Sequence, residues 1–271
     1  MADLPRFARP YDTDRLDEAV RAGGAAIVTG LLSDDLRIRV SAGIDRWLGE
    51  HRHGAPGLTH AAHSVCVHSV VNKSPVAAEV IIQPDLLGWA RRMLAPLSGQ
   101  VLLTAAEYRE RQPGEAPRPA VQGLHRGTDA WPYASIGVDP VSVYTIIALG
   151  SFTPDNGATW FAMGSHRLPL GQPPDPLSLV QAIMAPGDAV VFRSDVLHGV
   201  GPNLTADQPL RTLSVGYQVD WLRPVENGTL TVPPAMASTL PEEARALLGY
   251  GTRAALGQYE GGDPADAIAH L

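Results

Sequence analysis

Four short β-branched segments, each closed by turn residues, constrain the fold of this chain most. They are QVLLTAAEYRE (100–110), VSVYTIIALGSF (141–152), DAVVFR (188–193) and LRTLSVGYQVDWL (210–222). Runs this short, rich in Val, Ile, Thr and Tyr and bounded by Gly, Pro, Asp or Asn, signal strands. The 27 glycines and 24 prolines provide turns between them. The first third reads differently. LLSDDLRIRVSAGIDRWLGEH (31–51) predicts an amphipathic helix, with Ser33 as cap and Val40, Ile44, Trp47 and Leu48 at helical spacing. QPDLLGWARRMLAPL (83–97) predicts a second helix opened by Pro84. STLPEEARALLGY (238–250) predicts a third, with Ser or Thr ahead of Pro-Glu-Glu. Helices first and closely spaced strands after them predict a mainly β fold, an antiparallel sandwich or open barrel with α-helices packed outside. With no repeat and no low-complexity linker, residues 1–271 are expected to form a single domain.

Charge and targeting signals narrow the function classes. A net charge of −7 offers no attraction for nucleic acid polymers or an anionic membrane. No apolar run is long enough to span a bilayer, and MADLPRFARPYDTDRL lacks the apolar core of a secretory signal. The single Cys66 cannot form an internal disulfide, which suits a reducing compartment; a cytoplasmic protein is expected.

Nine histidines are present. His51, His53, His60, His63 and His68 cluster in sequence with Cys66. Their spacing lacks the paired ligand turns of structural zinc sites, so a solvated or loop-packing role is expected. His125 and His198 flank the strand region, and Arg211 follows His198 by thirteen residues. Imidazoles bind Fe(II) and a guanidinium clamps a carboxylate. Spacing alone favours the reading of two unrelated histidines.

Several segments together favour the iron reading instead. LHRGTDAWP, DNGATWFAMGSHR and VVFRSDVLHGVGPNLTADQPLRTLSVGYQ resemble the phytanoyl-CoA dioxygenase-like family of Fe(II)/2-oxoglutarate enzymes. So do VHSVVNKSP and WLRPVENGTLTVPPAMASTLPEEARALLGY, and the resemblance runs roughly from residue 25 to 265. It implies a double-stranded β-helix (a cupin-like jelly roll) with Fe(II) at one open end. It further implies that His125 and His198 ligate the metal and that Arg211 holds the far carboxylate of 2-oxoglutarate. Gln122 and Tyr144 are candidates for touching that co-substrate. Asn156, Gly157, Gly164, Ser165 and His166 are expected to shape a loop over the site.

One position departs from the family. Its pattern is His-x-Asp, the carboxylate completing a two-His, one-carboxylate face; here that position is Gly127. In the halogenase branch of the superfamily, glycine or alanine replaces the carboxylate and chloride takes the vacated coordination position. Chloride restores the lost negative charge and adds a transferable atom. Alternatively, Asp129 substitutes, but along a strand it lies about 6.6 Å away, too far for an iron–oxygen bond without rearrangement; a hydroxylase with an altered ligand set would result. In the third alternative the metal site is altered or lost and the chain is a non-catalytic jelly-roll binding protein. The reading carried forward is an oxidoreductase that uses Fe(II), 2-oxoglutarate, O2 and chloride to halogenate an unactivated C–H of a small molecule in specialised metabolism. Arg126, Asp129, Trp131 and Trp160 are candidate substrate contacts. An arginine facing the cavity would suit an anionic substrate such as a nucleotide, an amino acid or a carrier-bound acyl group.

Overall fold

The computed structural model describes residues 3–51, 55–61, 63–131 and 139–269; His53 lies outside them. Its strands are β1 (Arg6–Ala8), β2 (Ala25–Thr29), β3 (Leu58–Ala61), β4 (Ser64–Val67), β5 (Val101–Arg111), β6 (Ser142–Ala148), β7 (Trp160–Ala162), β8 (Leu179–Gln181), β9 (Ala189–Arg193), β10 (His198–Gly199) and β11 (Leu210–Val219). Eight form one sheet in the order β1-β2-β9-β6-β11-β5-β4-β3, and β10-β7-β8 form a smaller one. The large sheet therefore draws strands from both ends of the chain. All its pairings are antiparallel except β1 with β2. The four predicted strand segments become β5, β6, β9 and β11.

β9 reads AVVFR, apolar almost throughout, because both its faces are covered. Ala189 and Val191 join the core under the helices, while Val190 and Phe192 join the core between the sheets. The helix-side core is filled by α1 (Thr13–Gly23), α2 (Asp34–Glu50), the one-turn α3 (Val70–Lys73) and α4 (Ala77–Ile81), and α5 (Pro84–Leu94). α2 begins where its sequence predicts: Ser33 accepts from Leu36 N–H at 3.3 Å. At the C-terminal side come α6 (Gly228–Thr231), α7 (Pro234–Ala237), α8 (Glu242–Leu247) and α9 (Pro264–Ile268). The expected Ser/Thr cap on α8 is not used. Pro241 sits at that position, and Ser238 and Thr239 bond back into the preceding turn. The opposite core packs Phe161 of β7 edge-on against Phe192, 5.0 Å between ring centres, so the small sheet closes over the large one. This is the jelly-roll arrangement with flanking helices. No helix among the described residues is long and apolar enough to cross a membrane.

Candidate active site

His125 and His198 meet as an isolated antiparallel bridge. Each backbone N–H donates to the other's carbonyl at 3.0 Å. Such a reciprocal pair sends both side chains to the same face, and the rings stand 4.6 Å apart. His198 Nδ1 lies 3.0 Å from Val196 O, and His125 Nδ1 lies 3.4 Å from Gly123 O. A carbonyl can only accept, so these contacts put the proton on Nδ1 and leave each Nε2 lone pair free for a metal. Phe192 and Phe161 flank the His198 ring. Burial, aided by His125, pushes its pKa down to about 3 and keeps it in the neutral form that ligates.

Gly127 opens a 3-10 turn, Gly127–Ala130, rather than continuing a strand. Its N–H donates to Ser194 O at 2.6 Å. A Cβ added there would stand 3.1 Å from Ser194 Cβ and 3.3 Å from Ser194 O. Ser194 is fully buried and donates from its hydroxyl to Ser142 O, so it cannot give way freely. The glycine thus has a packing reason of its own. A Cβ at this position is a tight fit, for which Ser194 would have to give by a few tenths of an ångström, while Gly127 itself lines the cavity described next. The turn also redirects Asp129, whose Oδ2 accepts from Arg126 N–H at 3.1 Å and caps the turn. In the structure the Asp129 carboxylate is thus engaged with the Arg126 backbone.

A cavity of about 300 Å³ opens beside this pair, with His125, Gly127 and His198 on one side. Tyr144, Ile146, Phe192, Leu210, Thr212 and Ser214 form its floor on the large sheet, and Glu107, Arg109, Arg111 and Arg118 carry its charge. Alternation along β11 corrects the expectation for Arg211. Leu210, Thr212 and Ser214 face the cavity, so Arg211 between them points to the helix side. There it pairs with Glu110 at 2.7 Å and with Asp45 of α2 at 3.2 Å. Across β5 the parity is the reverse: Arg111 is in register with Leu210 and Arg109 with Thr212. Two of the cavity's guanidiniums, Arg109 and Arg111, thus come from β5, and their signal was present in EYRER (107–111), whose alternate residues Glu107, Arg109 and Arg111 are all charged.

The remaining candidates divide. Tyr144 lines the cavity; Gly216 makes room for its ring, which a Cβ there would overlap, and burial pushes the phenol pKa up to about 12. Gln122 is exposed on the turn before His125 and is not part of the lining. Arg126 is buried, but its guanidinium donates to the carbonyls of Asp195, Ser165 and Leu168; it ties loops together and does not face the cavity. Trp131 donates from Nε1 to Arg223 O, and Trp160 belongs to β7; neither lines the cavity. Asn156 and Ser165 hold loop backbone, through Thr153 N–H and Leu197 N–H respectively.

Residues 20–212 match the model of the phytanoyl-CoA dioxygenase (PhyH) family. Dioxygenase FrzG of Cladobotryum sp is 28% identical over 276 residues, covering 92% of this chain and 88% of that protein. The iron/alpha-ketoglutarate-dependent dioxygenase penM of Penicillium thymicola is 23% identical over 253 residues, covering 91% and 81%. The crystal structure of the epimerase SnoN with Fe3+, alpha ketoglutarate and nogalamycin RO shares the fold: TM-score 0.62 at 18% identity, covering 93% of this chain and 94% of SnoN. The chain belongs to the phytanoyl-CoA dioxygenase family, within the iron/α-ketoglutarate-dependent dioxygenases.

Proposed function

We propose that this protein is a non-heme Fe(II)/2-oxoglutarate-dependent oxidase of small-molecule metabolism whose iron has two protein ligands, and that halide occupies the third position. The observation that carries this reading is the His125–His198 pair, with both Nδ1 atoms turned to carbonyls and both Nε2 lone pairs left for a metal. The donor set fits a divalent iron ion on two nitrogens and supplies no carboxylate beside them, since Gly127 has no side chain and Asp129 is held away. Bound iron with 2-oxoglutarate and O2 supplies oxidation of a substrate C–H. The chain's own part is to hold the His198 imidazole neutral, to keep position 127 bare, and to bring substrate to the His125–Gly127 side of the cavity. Arg109 and Arg111 replace Arg211 as the proposed partners of the co-substrate's distal carboxylate; Tyr144 lines the same cavity. The same positive charge suits an anionic substrate. No nucleic acid polymer or membrane enters this reading.

The test is succinate formation by the purified protein with Fe(II), 2-oxoglutarate and O2, in chloride and in bromide buffer. Oxygen-dependent succinate that disappears in His198→Ala supports an iron oxidase, and halide dependence supports halogenation. Turnover indifferent to halide, with oxygen alone transferred, supports a hydroxylase built on two histidines. Two observations favour that second reading: Ser194 crowds the Cβ direction of Gly127, and the relatives FrzG and penM are named dioxygenases. Neither iron uptake nor succinate would leave a jelly-roll binding protein.

A further inference from the structure

The wall of the cavity that lies on β4 and β5 brings a second donor set together. Cys66 on β4 pairs with Arg109 on β5. His68 follows the end of β4, and Glu107 precedes Arg109 by two residues on the same strand face. The Cys66 sulfur, a His68 ring nitrogen and a Glu107 oxygen all lie within 4.8 Å of one another. Cys66 is 5% exposed, and the Glu107 side chain 17%. A thiolate, an imidazole and a carboxylate at such separations are the donor types and number of a three-ligand zinc-class site.

The surrounding hydrogen bonds are those that ligands need. Arg109 donates to Glu107 Oε2 at 2.9 Å, leaving Oε1 turned to His68 Nδ1 at 3.0 Å. His68 Nε2 lies 3.2 Å from the Thr59 hydroxyl, and Thr59 is also in register with Cys66. Without a cation, a proton on Nδ1 bridges His68 and Glu107. With a cation between them, the ring's one proton is carried on Nε2 instead and donated to Thr59, and the Thr59 hydroxyl proton turns to the sulfur once the thiol proton has left to solvent. Each ligand then keeps one outer partner, as metal-binding side chains do. Charge points the same way. The Glu226 carboxylate, held by Ser69 and Ala106 N–H groups, approaches His68 to 4.0 Å. Two poorly exposed carboxylates thus share the Arg109 guanidinium and the Lys73 ammonium, and a dication that displaces the Cys66 proton adds one further positive charge beside them.

We propose that Cys66, His68 and Glu107 form a second metal site, separate from the His125–His198 pair, which takes a zinc-class divalent ion with water as fourth ligand. It stands independently of the reaction assigned to the histidine pair. Cobalt titrated into the metal-free full-length protein tests it, because Cys66 is the single cysteine of the chain and any thiolate-to-cobalt charge-transfer band reports that residue. The band should saturate at one equivalent, bleach when Zn2+ is added, and persist in the His125→Ala/His198→Ala variant. Cys66→Ser should abolish it, and Glu107→Gln or His68→Ala should weaken cobalt affinity about tenfold or more. Absence of the band in the unmodified protein at stoichiometric cobalt would overturn the proposal without requiring any variant to fold. So would affinity unchanged in both Glu107→Gln and His68→Ala.

Discussion

At position 127 two demands coincide. The backbone N–H is drawn onto Ser194 O, and no side chain fits without moving Ser194. Gly127→Asp should therefore lower stability by about 1–3 kcal/mol, the usual range for forcing atoms into a packed interior, as read by thermal unfolding. Combining it with Ser194→Gly should return part of that loss, because the two positions touch. The same carboxylate should remove any halide dependence of turnover. Arg211 and Arg109 make opposite predictions. Arg211→Gln breaks half-exposed pairs worth about 0.2–1 kcal/mol and should leave 2-oxoglutarate affinity unchanged. Arg109→Gln or Arg111→Gln should weaken that affinity about tenfold, measured by calorimetry with Fe(II) bound. If Arg211→Gln weakens it instead, the clamp is not on β5.

Among the elements, the turn at 164–167 and the capped helix carry separate tests. Gly164 N–H donates to Gly23 O at 2.7 Å, docking the turn Ser165–Arg167 on the end of α1. Burial there, with the Arg193 guanidinium nearby, pushes the His166 pKa down to about 4. Unfolded, this histidine takes up its proton near 6.5, so between 6.5 and 4 only the unfolded chain is protonated. Stability is thus fully present above 6.5 and falls as pH drops toward 4. His166→Asn should flatten that part of the stability–pH curve; an unchanged slope would show that other groups set it. Ser33→Ala should cost α2 about 1 kcal/mol. Much at this scale was legible. β-branched runs gave the central strands, and a serine before an amphipathic run gave α2. Illegible were β7 and β8, three residues each, too short for a period to show. Asp129 was already disfavoured as a ligand on strand spacing; that a 3-10 turn, not a strand, follows Gly127 was not legible. Arg211 was misjudged because the face of a strand residue depends on parity, and thirteen residues beyond His198 do not reveal it.

For the whole molecule, the sheet order joins what sequence distance separates. His125 and His198 were readable as a candidate ligand pair because their surrounding segments resemble a known family, and the structure brings the two rings together. The charged face of β5 was readable from EYRER alone, had alternation been followed into the cavity. Cys66, His68 and Glu107 were not, since β4 and β5 must pair in one register before they become neighbours. The central claim is that iron sits on two histidines with no protein carboxylate and an anion beside Gly127. Diffraction from crystals grown anaerobically with Fe(II), 2-oxoglutarate and bromide tests it most directly. The expected result is an iron peak on His125 and His198 with a bromine anomalous peak bound to it beside Gly127. A carboxylate oxygen in that place, or iron bound there with water that bromide never replaces, would contradict it.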